Sequence, residues 1–318
     1  MYNIEIINIE YNTKYLLSIR NKFTFLTGDT ATGKSTIITF IREWIATRES
    51  NIARNTKIIS PINIEAPYGF NEINHRENTL FVFDESLAPG IRKNKSIFIN
   101  SNNYFLIIDR EMIDLPYGVY DILKLDSTFE NGYTINRTVP LYNMVEEYVT
   151  PNLIITEDES SGYKFYNRLL SVPCVSAKGK TRIMKKVGIE VLRHNKTVLL
   201  IVDEVGFGYE FSKLVELCST KPMKNKQVYI WLPKSFEYVL LNSGMFIGID
   251  DFLKDPYDSW DLSKYNTVEQ YITSVLNNKM KEKFGVSYSK SMDITEYFKG
   301  YTLMIFKNNF LYFEKLLK

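Results

Sequence analysis

Gly28, Gly33, Lys34 and Ser35 lie within one short stretch, Phe23 to Thr36 (FTFLTGDTATGKST), and their types and spacing suit the capture of an anion. Glycines at both ends of a loop let it turn with its amides pointing inward, which makes a concave site for negatively charged oxygens. The apolar run Phe23-Thr24-Phe25-Leu26 before the loop reads as a buried strand. After it, Ile37, Ile38, Ile41, Trp44 and Ile45 recur at helical spacing. The start of that helix adds the positive end of its dipole to the loop. In this frame Lys34 brings a positive charge to the loop, and Ser35 a hydroxyl.

Two later apolar runs end in acid. TLFVFDE, residues 79–85, closes on Asp84 and Glu85, and YFLIID, residues 104–109, closes on Asp109 and is followed by Arg110. An acid at a strand end can hold Mg²⁺ through water, and a neighbouring carboxylate can orient an attacking water. Asp84 and Glu85 together supply both roles, so they are preferred, with Asp109 as the alternative metal acid. On the preferred reading Asn102, Asn103, Asp109 and Arg110 form a strand that senses the terminal phosphate. Arg110 reads equally well as a surface charge.

The spacing G-x-x-x-x-G-K-S between a strand and a helix resembles the P-loop, or Walker A motif, of the P-loop NTPases, and residues 79–85 resemble a Walker B strand. The resemblance implies ATP and Mg²⁺ as cofactors. Gly28, Asp29, Thr30, Ala31, Thr32, Gly33, Lys34, Ser35 and Thr36 would surround the phosphates, with Ser35 and Asp84 on the metal. Lys34, Glu85 and Arg110 would be the catalytic groups. The chain opens on alternating segments at 3–10 and 14–20 around Tyr11-Asn12-Thr13, a hairpin signal similar to the start of many recombination-type ATPases. It lacks an ABC-type signature loop and a long insertion between the two motifs. A compact AAA-like or STAND-like core is therefore expected rather than an ABC-style dimer.

A length of 318 residues suggests two domains. Thr150-Pro151-Asn152 marks the expected boundary, giving a P-loop domain over 1–150 and a second α/β domain over 151–318 that ends in helices. In the first, residues 57–64 read as a strand closed by Pro61 or by Ala66-Pro67, and 119–126 with 133–139 as a hairpin turned by Asn131-Gly132. In the second, strands near 153–156, 172–176, 197–202 and 227–232 alternate with helices, which means a parallel sheet. Glu157 and Asp203 follow the first and third of these strands, at the edge where sites assemble. This pattern resembles the TOPRIM domain, and an ATPase followed by TOPRIM is the order of the OLD-family nucleases. The resemblance implies Mg²⁺ on Glu157 and Asp203. The second acid of the family's Asp-x-Asp pair is replaced here by Val205, so Glu204, Asp158 or Glu237 would have to substitute, and nuclease activity is expected to be weak or absent. A plain flavodoxin-like domain is the alternative.

A net charge of +2 gives no global attraction to nucleic acid, so local clusters must carry any such contact. Lys178, Lys180, Arg182, Lys185 and Lys186 form the densest one, beside the acidic edge, and suit a phosphate backbone or a solvated helix face. Self-association is left open. Two cysteines and two histidines argue against a disulfide framework, zinc knuckles and histidine-based triads. The N-terminus lacks a basic region leading into an apolar core, and no apolar run is long enough to cross a bilayer, so a cytoplasmic location is expected. Residues 301–317, rich in aromatics and leucine, read as a docking helix. A nucleotide-switched scaffold is the rival function, and a small-molecule kinase lacks the arginine-rich lid it would need.

Overall fold

A computed structural model of the chain describes residues 1–29, 32–48, 55–148, 150–223, 228–298 and 312–316. The chain divides into two compact α/β units, Met1–Tyr142 with Tyr257–Val268, and Asn143–Pro256 with Glu269–Lys318.

The first unit holds β1 (Tyr2–Asn8), β2 (Thr13–Ile19), β3 (Phe23–Leu26), α1 (Lys34–Thr47), β4 (Thr56–Ile59), β5 (Asn63–Glu65), β6 (Thr79–Phe83), α2 (Ala88–Lys93), α3 (Lys95–Asn100), β7 (Tyr104–Ile108), β8 (Ile122–Glu130) and β9 (Tyr133–Pro140). They build one nine-stranded mixed sheet in the order β4-β1-β2-β9-β8-β3-β7-β6-β5. From β8 to β5 all neighbours run parallel, and β3 sits between β8 and β7. The hairpins β1–β2 and β8–β9 are antiparallel, the second turned by Asn131 and Gly132 at positive φ.

Residues 57–64 do not form one strand. Pro61 interrupts the run, having no N–H for a ladder. The pieces pair at opposite edges of the sheet, β4 on β1 and β5 on β6.

Side-chain alternation sorts the core of this unit. Leu26, Leu80, Val82, Leu106 and Ile108 join Ile37, Ile38 and Ile41 of α1 on one face. Phe23, Phe25, Phe81, Phe83 and Phe105 face the other way, with Ile91 of α2 and Phe98 of α3. Phe98 meets Phe105 edge-on at 5.1 Å between ring centroids and Phe83 at 5.7 Å. The returning segment 257–268 closes the aliphatic face, Leu262 in the core and Trp260 edge-on to Tyr104 at 6.4 Å.

Asn103 is a structural staple. It is fully buried; its Oδ1 accepts from Thr79 N (3.1 Å), and its Nδ2 donates to the carbonyls of Ile73 (3.0 Å) and Arg76 (2.8 Å).

The second unit holds β10 (Met144–Tyr148), β11 (Leu153–Thr156), α4 (Ser161–Leu169), β12 (Cys174–Ser176), α5 (Ile183–Gly188), β13 (Val198–Ile201), α6 (Gly208–Ser219), β14 (Val228–Trp231), α7 (Phe236–Leu241), α8 (Asp250–Lys254), α9 (Val268–Phe284) and β15 (Tyr312–Leu316). Its six-stranded sheet runs β10-β15-β14-β13-β11-β12. The four strands from β14 to β12 are parallel, and β15 lies antiparallel between β14 and β10. The expected helical tail is corrected here: 312–316 is a strand, while 301–311 and 317–318 lie outside the described residues. Residues such as Tyr312 and Phe313 are as much at home in a strand as in a helix, and a sheet edge decides between them. Among the described residues no helix is long and apolar enough to cross a membrane.

Replacing Asn103 with alanine leaves one buried amide and two carbonyls without partners, at about 1–3 kcal/mol each where water cannot reach. Urea denaturation of Asn103→Ala should show a loss of a few kcal/mol; a loss below about 0.5 kcal/mol would contradict the staple.

Candidate functional site

The first candidate site gathers at the C-terminal ends of β3, β6 and β7. A cleft of about 210 Å³ is lined by Thr32 to Thr36, Asp84, Glu85 and Ile108 to Arg110. Gly28 (φ 127°) and Gly33 (φ 82°) turn the loop in backbone conformations that residues with a Cβ rarely adopt. Gly33 also has no room for a side chain, because a Cβ would lie 2.6 Å from the Tyr15 hydroxyl. That hydroxyl donates to the Gly33 carbonyl (2.9 Å) and ties β2 to the start of α1. Lys34 reaches back over the loop, its Nζ donating to Gly28 O (2.8 Å), Asp29 O (2.5 Å) and Thr32 Oγ1 (2.8 Å). Burial and the Arg110 charge pull the Lys34 pKa down, against Asp29 and Glu85. Thr30 and Ala31 lie outside the described residues.

The acids of this cleft are engaged differently. Asp84 caps the turn after β6 through Ser86 N (3.0 Å) and faces Arg42 at 3.6 Å. Glu85 is exposed and stands 3.8 Å from Arg110. Asp109 is buried, accepts from the amides of Arg110 (2.6 Å) and Glu111 (3.2 Å), and faces Arg92 at 3.7 Å. Asp84 is therefore the more accessible of the two strand-end aspartates, and Asp109 the one more committed to its own turn.

Beside the loop opens a larger cavity of about 650 Å³ that shares Thr32, Gly33, Ser35 and Thr36 with the cleft. Tyr11, Tyr15 and Phe40 supply its aromatic wall, and its remaining lining is hydroxyl and amide, with no charged side chain. Tyr11 stacks on Phe40 at 6.0 Å.

The second candidate site lies in the second unit, past the ends of β11 and β13. Carboxylate oxygens of Asp203, Glu237 and Glu269 come within 4.8 Å of one another. Ser235 caps α7 through Tyr238 N (3.2 Å) and so fixes Glu237 in its first turn. Lys290 binds Glu269. Although burial opposes its charge, that bond and the fields of Glu237 and Asp203 hold Lys290 above the usual lysine range. Asp203 is driven well above the carboxylate range, first by burial and then by Glu237, Glu269 and Glu157. Burial pushes Glu157 up to about 6, with Lys180 opposing and Asp158, Glu269 and Glu210 adding.

The chain matches no protein-family model, no curated protein and no solved structure.

Of the residues singled out in the sequence, Thr32 to Thr36, Asp84, Glu85 and Arg110 share one cleft. Glu157 and Asp203 share a second neighbourhood and affect each other electrostatically, but Glu157 is not one of the three converging carboxylates. Nor are Asp158 and Glu204. Glu269 went unnoticed in the sequence, because it opens a helix with no motif around it. In the basic cluster, Lys178 pairs with Glu159 (2.9 Å), Lys180 with Glu210 (3.9 Å) and Lys186 with Glu190 (3.3 Å).

Two outcomes follow from these geometries. Gly33→Ala should cost about 1–2 kcal/mol in thermal or urea denaturation, through the positive φ and the displaced Tyr15; an unchanged midpoint would contradict the packing. For Glu157, a folded pKa near 6 against an ordinary 4.5 means the folded state binds more protons in that window. The penalty is absent below about 4.5 and complete above about 6, on the order of 1–2 kcal/mol. With chelator present, Glu157→Gln should stabilise the protein at pH 7.5 but not at pH 4.5, and a pH-independent effect would overturn this.

Proposed function

We propose that the first unit binds and hydrolyses ATP with Mg²⁺, and that its nucleotide state controls a TOPRIM-like second unit that binds nucleic acid. The observation that carries this reading is the loop itself. Gly28 and Gly33 at positive φ bend it, α1 begins at its end, and Lys34 spans it. A triphosphate offers Lys34 charged oxygens in place of the carbonyls it now holds, and charge-assisted bonds are about twice as strong as neutral ones. In this reading Ser35 and Asp84 hold Mg²⁺, Glu85 orients the attacking water, and Arg110, across from Glu85, neutralises charge on the transferred phosphoryl group. The uncharged cavity beside the loop, with Tyr11 and Phe40, has the size and chemistry for ribose and base.

A second reading, a nucleotide-switched scaffold whose second unit binds a protein, is favoured by the basic cluster. Three of its lysines already face carboxylates of their own chain. Salt separates the two readings, since phosphate-backbone binding must weaken steeply as salt rises and scaffold binding need not.

Lys34→Ala should weaken binding of a fluorescent ATP analogue or turnover by about 10²-fold, the scale of losing one preorganised charge. Unchanged affinity and hydrolysis in a folded variant would remove the assignment. Glu85→Gln should keep ATP affinity and lose most hydrolysis, whereas Asp84→Asn should weaken the Mg²⁺-dependent part of binding. If Asp109→Asn alone produced both defects, the metal role would pass to Asp109.

A further inference from the structure

Glu237 is the anomaly of the second unit. It is 2 % exposed, its Oε1 accepts from the Tyr288 hydroxyl (2.9 Å), and its buried Oε2 has no hydrogen-bond partner. A buried carboxylate oxygen without a donor is costly, and native interiors rarely tolerate one unless something outside the chain satisfies it. Glu237 stands among the converging carboxylates of Asp203 and Glu269.

We propose that Asp203, Glu237 and Glu269 form a binding centre for one hard divalent cation of the magnesium–manganese class, with Lys290 as the resident counter-charge. The ligand set is all carboxylate oxygen, which selects hard cations over zinc or copper. Ionised around a bound cation, three carboxylates against one ammonium leave two negative charges, which one such ion balances. The span fits as well. Two oxygens on opposite sides of Mg²⁺ lie about 4.2 Å apart, from its bond length of about 2.1 Å, and the oxygens here are separated by at most 4.8 Å. Small side-chain rotations close the difference.

The surroundings hold the ligands in place. Tyr288 hydrogen-bonds both Glu237 and Ser161 (3.1 Å), and Ser161 N donates to the Lys290 carbonyl (2.9 Å). The Lys290 backbone is thereby fixed beside the cluster. Asp203 and Glu269 are both partly exposed, Glu269 with its side chain 31 % accessible, and they form the open side of the cluster. The centre lies wholly within the second unit and does not depend on the nucleotide loop. It shares Asp203 with the pair that the TOPRIM resemblance implies, but takes Glu237 and Glu269 as its other ligands and leaves Glu157 out.

The test is Mn²⁺ binding to the full chain without nucleotide, followed by electron paramagnetic resonance, with Mg²⁺ and Ca²⁺ as competitors. Wild-type protein should bind one Mn²⁺ tightly and gain thermal stability from it. Glu237→Gln and Glu269→Gln should each lower the affinity at least 10-fold. Glu269→Gln, at an accessible position, keeps the test valid if Glu237→Gln does not fold. Lys34→Ala, which removes nucleotide binding in the first unit, should retain the Mn²⁺ site, so failure of the nucleotide reading and failure of this one are distinguishable. Mn²⁺ binding that is absent in the wild type, or equal in the wild type and both glutamine variants, would overturn the centre.

Discussion

Strands buried on both faces have nowhere to put a charged side chain except past their ends, and both candidate sites follow from that constraint. Every residue of β3, β6 and β7 is buried, as is every residue of β11 and β13. A charge inside such a strand would cost several kcal/mol. The first acid therefore appears just beyond the strand, at Asp84, Asp109, Glu157 and Asp203. Because neighbouring strands are parallel, their ends share an edge, and residues far apart in sequence meet there.

The two edges differ in electrostatic balance. In the first unit each acid faces a guanidinium, Asp84 with Arg42, Glu85 with Arg110 and Asp109 with Arg92. Lys34 is turned onto the loop oxygens. Such a site is near neutrality. In the second unit the acids outnumber the cations, and burial with mutual repulsion drives Asp203 and Glu157 upward. An edge of that kind stores unfavourable energy that a divalent cation relieves.

Groups away from the cleft keep its shape. Lys22, 4 % exposed, caps the carbonyls of Ile99 (2.7 Å) and Ser101 (2.5 Å), and burial draws its pKa down to about 8. Asn103 ties β6 to the turn before it, and Tyr15 ties β2 to the loop. Lys22 and Asn103 fix strands whose ends contribute to the site, whereas Tyr15 lines the cavity beside the loop.

The sequence by itself determined what short range can encode. The uncharged run Phe23-Thr24-Phe25-Leu26 before Gly28, and the four apolar residues Leu80 to Phe83 before Asp84, define the strands because a run of that length without charge has to be buried. Alternation at 3–10 and 14–20 defines the opening hairpin, and the two loop glycines are set by backbone sterics. Pro61 was legible as a break, though not the sending of β4 and β5 to opposite edges. Only the tertiary structure decided which acids converge. Asp203, Glu237 and Glu269 come from three separate elements, and their meeting depends on the packing of α7 and α9, which no local pattern records. The strand at 312–316 was hidden for the same reason: Tyr312 and Phe313 suit a strand as well as a helix, and pairing with β14 and β10 selects the extended form.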